Sequence, residues 1–504
     1  MVMSTMVTNP RDRTSGLAFW TERVLEECER ASVGFAPDPV HDLRVALRRC
    51  RSMVDGLMAM DPAPAWKQMK KAGKRLFQSL GELRDVHVME EWVHHFDSPG
   101  DPVASKLFEV LAMRETHLKQ QAAQALQEFD RKLWRKWSTS LPRRAERLRA
   151  GSAIFKHLAL ERWTEAYELH HRALRNRSQV AWHSLRIGIK RFRYIVENFL
   201  PEQHALWGAD LKKLQDLLGE VHDLDVLWAT ALRENVFPDV AARSHWQARL
   251  HEERERRLEG YREKMVGPAS LWHVWRAQLP QGKQIESFAL QRLRRWAAVL
   301  DPDFRHSQHV SRLALQLYDG LARNGDKMRP PEGKAREILR LAAMLHDVGR
   351  SKEGKGHHKA SFRLVQHLKP PLGIEADVLR KAGVVARYHR GALPHAGQKA
   401  LQNLNPSERN ETLWLAGILR LANALDGDRT GRVTHIEVSE KNGFVQIGAQ
   451  GYSPRDRSAE EIAAARHLLE LACRCPVMIR TLRPKRRQQQ NATADRQPSR
   501  VKSS

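Results

Sequence analysis

His183-Ser-Leu-Arg-Ile-Gly-Ile-Lys-Arg-Phe-Arg-Tyr194 repeats, in residue type and order, His41-Asp-Leu-Arg-Val-Ala-Leu-Arg-Arg-Cys-Arg-Ser52. The apolar positions correspond one to one. Leu43, Leu47, Cys50, Val54 and Leu57 match Leu185, Ile189, Phe192, Val196 and Phe199, each 142 positions on. Steps of four, three, four and three put them on one stripe of a helix. His41, Arg44, Arg48 and Arg51 match His183, Arg186, Lys190 and Arg193 on a second stripe beside the first. Each helix therefore buries one face and carries a file of positive charge next to it. Basic residues on a single helix often do no more than meet solvent. Two copies in one register, with the histidine kept, point instead to an anion-binding surface.

The repeat continues outward. Lys74-Arg75 precedes Leu80-Gly-Glu-Leu-Arg-Asp85 as Lys212-Lys213 precedes Leu218-Gly-Glu-Val-His-Asp223. Leu133-Trp-Arg-Lys-Trp137 returns as Leu271-Trp-His-Val-Trp275. These pairs share an offset of 138, so one inter-helix loop is four residues shorter in the second copy. A repeat of this length is a duplicated helical unit, each half about four helices. The pattern predicts helices over about 17–31, from His41 to Asp61, 65–95, 103–137, 158–176, from His183 to Pro201, around Lys212, and 241–265. Pro142 reads as a break, with a basic link at 143–157. The two Leu-Gly-Glu motifs read as turns.

Composition sets the partner class. The chain has 504 residues with a formal net charge of +26 and a pI near 10.3. A charge that large predicts an anionic partner: nucleic acid, anionic lipid or polyphosphate. Seven Lys or Arg and one Asp after Leu482 place six of those charges on a tail expected to be disordered, as are residues 1–16. Four cysteines are too few for a disulfide framework, and the absence of a signal-peptide pattern or membrane-length apolar run predicts a cytoplasmic protein.

Leu279-Pro-Gln-Gly282 reads as a linker into a second helical region, 284–483. Its motifs are His306-Ser-Gln-His309, Leu345-His346-Asp347-Val-Gly349, His357-His358, Tyr388-His389-Arg390 and Leu421-Ala-Asn-Ala-Leu-Asp426. Strands enter only near the end: Val433–Val438, an Asn442-Gly443 turn, and Phe444–Ile447. A last helix is predicted over 459–474. The fold class read from the whole chain is all-α, a doubled four-helix bundle followed by a helical domain with a small β-hairpin.

Residues 17–279, in two repeats of about 17–141 and 158–279, resemble the CHAD family, the conserved-histidine α-helical domain. The two His-x-Leu-Arg helices and the two Leu-Gly-Glu-x-x-Asp motifs carry the likeness. It implies two bundles about a pseudo-twofold axis, with basic helices lining a groove for inorganic polyphosphate. The family's binding residues map to His41, Arg44, Arg48, Arg49, Arg51, Lys74, Arg75, His183, Arg186, Lys190, Arg191, Arg193, Lys212 and Lys213. Polyphosphate is a line of charge without bases, so it calls for many Lys/Arg contacts and no stacking platforms. Trp134, Trp137, Trp272 and Trp275 fall on apolar faces and read as core, which leaves nucleic acid a less favoured partner. The two histidines read either as charged donors to phosphate or as core residues, His41 at a helix start.

Residues 284–483 resemble the HD phosphohydrolase superfamily, most closely the helical C-terminal domain of exopolyphosphatase/guanosine-pentaphosphate phosphohydrolase proteins. The resemblance implies metal-dependent hydrolysis of polyphosphate or a phosphorylated nucleotide. His306, His346 and Asp347 would be the first ligands and Asp347 catalytic. His357 or His358, His389 and Asp426 would complete a site for Mn, Fe, Co, Ni, Zn or Mg. Lys352, Lys355, Lys359, Arg387 and Arg390 flank these motifs as phosphate-holding candidates. One departure stands out: Asn423 occupies the position of the family's closing aspartate. An amide is a poor replacement for a carboxylate facing a divalent cation, which keeps open a non-catalytic, granule-associated polyphosphate binder. The actin-like nucleotide-fold module of the exopolyphosphatases has no counterpart here.

Overall fold

The computed structural model describes residues 16–323, 329–455 and 458–483. The ends expected to be disordered, 1–16 and 484–504, lie outside the described residues apart from Gly16. The described chain forms two compact units. One runs to Val299 and includes Pro370–Ile374; the other comprises Leu300–Lys369 and the residues from Glu375 on.

In the first unit the first half contains α1 (Leu17–Ala31), α2 (Pro37–Met58), α3 (Pro64–Ala72), α4 (Lys74–Phe96), α5 (Pro102–Gln127) and α6 (Arg131–Ala145). The second half contains α7 (Ala153–Asn176), α8 (Gln179–Phe199), α9 (Pro201–Arg233), α10 (Val240–Met265) and α11 (Leu271–Ala277). The ten apolar residues of the repeated stripe are all buried. Between halves, α2 packs on α8 and α4 on α9. Gly56 makes the first crossing possible, because a Cβ there would lie 2.3 Å from the Phe199 ring. Asn198 Nδ2 donates to Ser52 Oγ across it at 3.0 Å.

Several boundaries differ from the sequence reading. Pro37 opens α2 a full turn before His41, its fixed φ suiting a first helical position, and Ser178 caps α8 through the Ala181 N–H. Neither histidine starts its helix, so the alternative that placed His41 at a helix start fails. The Leu-Gly-Glu motifs are not turns but lie inside α4 and α9. The predicted helix 65–95 breaks at Gly73, and 103–137 breaks before Asp130, whose carboxylate accepts from the Leu133 N–H. Pro142 sits inside α6 and breaks nothing. The four-residue difference between copies falls where α2–α3 is spanned by 59–63 and α8–α9 by Leu200 alone. Trp134, Trp137, Trp272 and Trp275 are buried, as core packing requires.

A further helix, α12 (Lys283–Leu300), belongs to this unit up to Val299. Arg292 explains why: it pairs with Glu161 of α7 at 2.7 Å and with His157 Nδ1 at 3.1 Å. The second compact unit thus begins at Leu300 rather than 284.

The second unit has α13 (Phe304–Arg323), α14 (Ala335–Leu345), a 3-10 turn at Val348–Ser351, α15 (His357–Gln366), α16 (Ala376–Arg387) and α17 (Pro406–Leu425). Asn405 and Glu408 form a reciprocal cap at the start of α17. Then come β1 (His435–Lys441), β2 (Phe444–Gln450), α18 (Ala459–Cys473) and β3 (Val477–Thr481). The hairpin pairs antiparallel with Val438 opposite Ile447. Contrary to the hairpin expected, β3 adds to β2 in parallel, giving a three-stranded sheet. Among the described residues no helix is long and apolar enough to cross a membrane.

Candidate functional site

The central helices of the first unit bring Arg44, Arg48, Arg186 and Lys190 within range of one another's charge. Burial, with the charges of Arg186, Arg48 and Arg44, pulls the Lys190 ammonium down to about 7. Burial, with Arg48, Arg186 and Arg84, likewise lowers Arg44. Such packed like charge is unfavourable without counter-charge. Two carboxylates supply part of it: Asp85 and Asp223, both raised by burial, Asp223 to about 6. Arg44 Nη1, Arg186 Nε and Arg193 Nε are buried without a hydrogen-bond partner among the described residues. Donors held ready in this way fit an anion arriving from outside.

The histidines stand at this cluster, His41 exposed and His183 half-buried. Desolvation, with Arg84 and Arg48, lowers His41. His183 Nδ1 lies 3.3 Å from His222 Nδ1, and burial with Arg186 holds His222 down to about 4. Other mapped residues are already engaged. Arg49 pairs with Glu197 at 2.5 Å, Arg193 lies 3.7 Å from the same carboxylate, and Arg51 donates to the Lys70 carbonyl at 3.0 Å. Arg75 pairs with Glu128, while Lys74, Arg191, Lys212 and Lys213 are exposed.

In the second unit α13, α14, α15, α16 and α17 bring the spaced histidines together. His346 Nδ1 lies 2.7 Å from the Ala343 carbonyl and His389 Nδ1 2.8 Å from that of Ala386. A carbonyl only accepts, so each Nδ1 carries the proton and each Nε2 keeps its lone pair. His346 Nε2 is buried without a hydrogen-bond partner among the described residues. Asp347 Oδ1 lies 3.1 Å from His357 Nε2, 3.7 Å from His346 Nε2 and 3.8 Å from His389 Nε2. Burial pushes the Asp347 carboxyl up, but His346, His357, His389 and Arg429 more than offset this and hold it well below the usual range. Two donor groups result, His306–His346–Asp347 and Asp347–His357–His389, each with ligand atoms within 4.8 Å of one another. Imidazole nitrogens around a shared carboxylate fit a divalent transition ion.

Gly349 fixes this geometry. A Cβ there would lie 2.2 Å from the His357 carbonyl oxygen. The close approach lets Ser361 Oγ accept from the Gly349 N–H at 2.9 Å and donate to the His346 carbonyl at 2.6 Å.

Two expected ligands fall elsewhere. His358 is outside both groups, and burial with Arg387 lowers it to about 4. Asp426 lies behind His306: Oδ2 is 2.7 Å from His306 Nδ1, and Oδ1 accepts from the Gly431 N–H at 2.8 Å. Both oxygens are taken, so Asp426 orients the ring. Asn423 Oδ1 faces His306 Nε2 at 3.0 Å.

Beside the cluster opens a cavity of about 350 Å³, lined by His306, His389 and Asn423 and by Arg350, Arg390, Arg420 and Arg429. Glu461 is the carboxylate on its wall. Arg420 Nη1 is buried and has no hydrogen-bond partner among the described residues.

The model of the CHAD domain matches residues 20–232, and that of "Ppx/GppA phosphatase, domain III" matches residues 289–447. The chain joins a CHAD domain to a Ppx/GppA phosphatase domain III. A guanosine-5'-triphosphate,3'-diphosphate pyrophosphatase of Vibrio vulnificus (strain YJ016) is 32% identical over 117 residues, 23% of each chain. The chain thus spans about a quarter of that relative's length. The crystal structure of the CHAD domain from the plant Ricinus communis matches at 21% identity and a TM-score of 0.36, covering 52% of this chain and 90% of that one.

Sequence reasoning missed residues in both modules. In the CHAD domain Arg84 and His222, and Asp85 and Asp223, equivalent at the offset of 138, lay within the repeated motif but were given no part in the site. In the second unit it missed Asp303, Arg350, Arg420, Arg429 and Glu461, which carry no motif and meet only through the fold.

Proposed function

We propose that the CHAD domain binds inorganic polyphosphate and that domain III is a metal-dependent phosphohydrolase of the HD type, acting on polyphosphate or a phosphorylated nucleotide. The observation that carries the hydrolytic reading is the buried His306–His346–Asp347–His357–His389 cluster opening onto an arginine-lined cavity. His306, His346 and Asp347, with His357 and His389, would hold the metal. A divalent ion there supplies an activated water and charge stabilisation for phosphoryl oxygens. The chain's own residues do the rest. Asp426 orients the His306 ring, the Ala343 and Ala386 carbonyls fix the tautomers of His346 and His389, and the cavity arginines orient phosphoryl groups. For the CHAD domain, support comes from the unpartnered Arg44 and Arg186 donors beside Arg48 and Lys190. Binding in the cytoplasm, at polyphosphate granules, follows as part of this reading.

A second reading is favoured by Asn423: a non-catalytic polyphosphate binder with a degenerate HD centre. Phosphate release decides between them. Purified full-length protein is incubated with polyphosphate or guanosine tetraphosphate, with and without Mn²⁺. The hydrolytic reading expects Mn²⁺-dependent release that His346→Ala abolishes. No release alongside intact polyphosphate binding leaves the binder.

A further inference from the structure

Arg429 lies just past α17 with φ of 60°, in left-handed backbone. A residue with a Cβ rarely adopts this conformation, so its surroundings must hold it. Nη1 donates to Asp303 Oδ2 at 2.9 Å and Nη2 to Asp347 Oδ2 at 2.6 Å. Its backbone N–H donates to the Asp426 carbonyl at 3.0 Å. The constrained residue thus aims its guanidinium at the aspartate shared by both donor groups. Arg350 Nη1 adds a second contact to the same oxygen at 3.3 Å.

These contacts oppose a divalent ion. With a guanidinium on Oδ2, that oxygen is unavailable to a metal, and Oδ1 belongs to a carboxylate whose charge is already matched. Yet Arg429 and Arg350 also line the cavity with Arg390 and Arg420. Arg420 carries an unpartnered buried nitrogen. A phosphoryl group entering there meets four guanidiniums and competes directly with Asp347 for two of them.

We propose that Arg429 guards Asp347 and is drawn off by an anion: a phosphoryl group in the arginine cavity takes over the guanidinium, Asp347 is freed, and phosphoryl group and divalent ion bind cooperatively. The inference rests on the metal reading above, and makes Arg429 a positioning residue rather than a catalytic one. It orders the site so that a metal is held firmly only when there is a phosphoryl group to act on.

The test is Mn²⁺ affinity of the full chain, by titration calorimetry or from the free-ion EPR signal, with and without inorganic phosphate. Sulfate serves as a second probe because it complexes Mn²⁺ weakly. His346→Ala identifies which bound Mn²⁺ belongs to this site. Wild type should bind Mn²⁺ roughly tenfold tighter with phosphate present, and Mn²⁺ should tighten phosphate by the same factor. Arg429→Asn removes the guanidinium while tolerating the left-handed backbone. It should bind Mn²⁺ tightly without phosphate and gain little from it. Equal Mn²⁺ affinity with and without phosphate in wild type overturns the guard while leaving the metal site standing. Weaker Mn²⁺ binding by Arg429→Asn without phosphate assigns Arg429 a merely structural role and also overturns it. No Mn²⁺ bound under any condition removes the metal reading itself, and the guard with it.

Discussion

Asp426 Oδ2 lies 2.7 Å from His306 Nδ1, with both side chains buried. Burial raises the Asp426 carboxyl, but the bonds from His306 and the Gly431 N–H outweigh it and hold the group below its ordinary range. The sign follows: a depressed carboxylate contributes stability above its unfolded pKa, and that contribution is lost as pH falls through the folded value. Asp426→Asn should therefore cost about 2 kcal/mol near neutrality. The difference from wild type should narrow in acid, below about pH 4. Urea denaturation across that range measures it, and a penalty that does not change with pH would assign the effect to packing.

Gly81 and Arg44 are also matched. A Cβ at Gly81 would lie 2.6 Å from Arg44 Nη1. Gly81→Ala should push the guanidinium out of the basic cluster. Because Gly81 is inside α4, the same change improves helix propensity by about 1 kcal/mol. Polyphosphate affinity should fall several-fold with thermal stability maintained. Gly219→Ala is the control, since nothing lies within 4 Å of its Cβ position. Equal affinity in the two variants would separate Arg44 from binding.

Lys190 predicts a pH dependence. Its ammonium is lowered to about 7, burial first and then Arg186, Arg48 and Arg44. The unfolded chain holds this proton up to about pH 10. Between those values the unfolded state binds more protons, so this group makes stability rise with pH from about 7 upward. A bound polyanion favours the charged form, so polyphosphate affinity should fall as pH rises from 6 to 8. Lys190→Arg stays charged and should flatten that fall. A profile unchanged by the substitution would move the effect to His41, His183 or Asp223.

The bundles were legible because an apolar stripe recurring 142 residues on has one helical solution, and Leu185 or Phe192 must be buried whatever surrounds them. The donor cluster was legible for another reason: histidine and aspartate types are few enough that an ordered series stands out. Neither argument reaches pairing. Arg49 and Arg48 are neighbours in sequence, yet Glu197 from the other half takes Arg49. His357 and His358 are adjacent, and only the packing of α15 against Gly349 puts the first at Asp347. Strand β3 was invisible because Val477–Thr481 pairs with β2 in parallel, after a crossover through α18 that no local turn announces.

Asn423 bears most directly on whether domain III hydrolyses anything. Its Oδ1 sits 3.0 Å from His306 Nε2, the ring nitrogen not held by Asp426. A carboxylate at that position would face the first donor group and add a negative charge that the amide lacks. Asp426 cannot substitute, because His306 and the Gly431 N–H occupy its two oxygens. Asn423→Asp should therefore tighten Mn²⁺ binding and raise any Mn²⁺-dependent phosphate release. Asp426→Asn should act oppositely, loosening the ring and lowering metal retention by roughly tenfold or more. Bound Mn²⁺ after dialysis and phosphate release from polyphosphate, followed together, provide the readout. If Asn423→Asp leaves both unchanged, the amide is not at the metal, and the site must be built on Asp347, His357 and His389 instead.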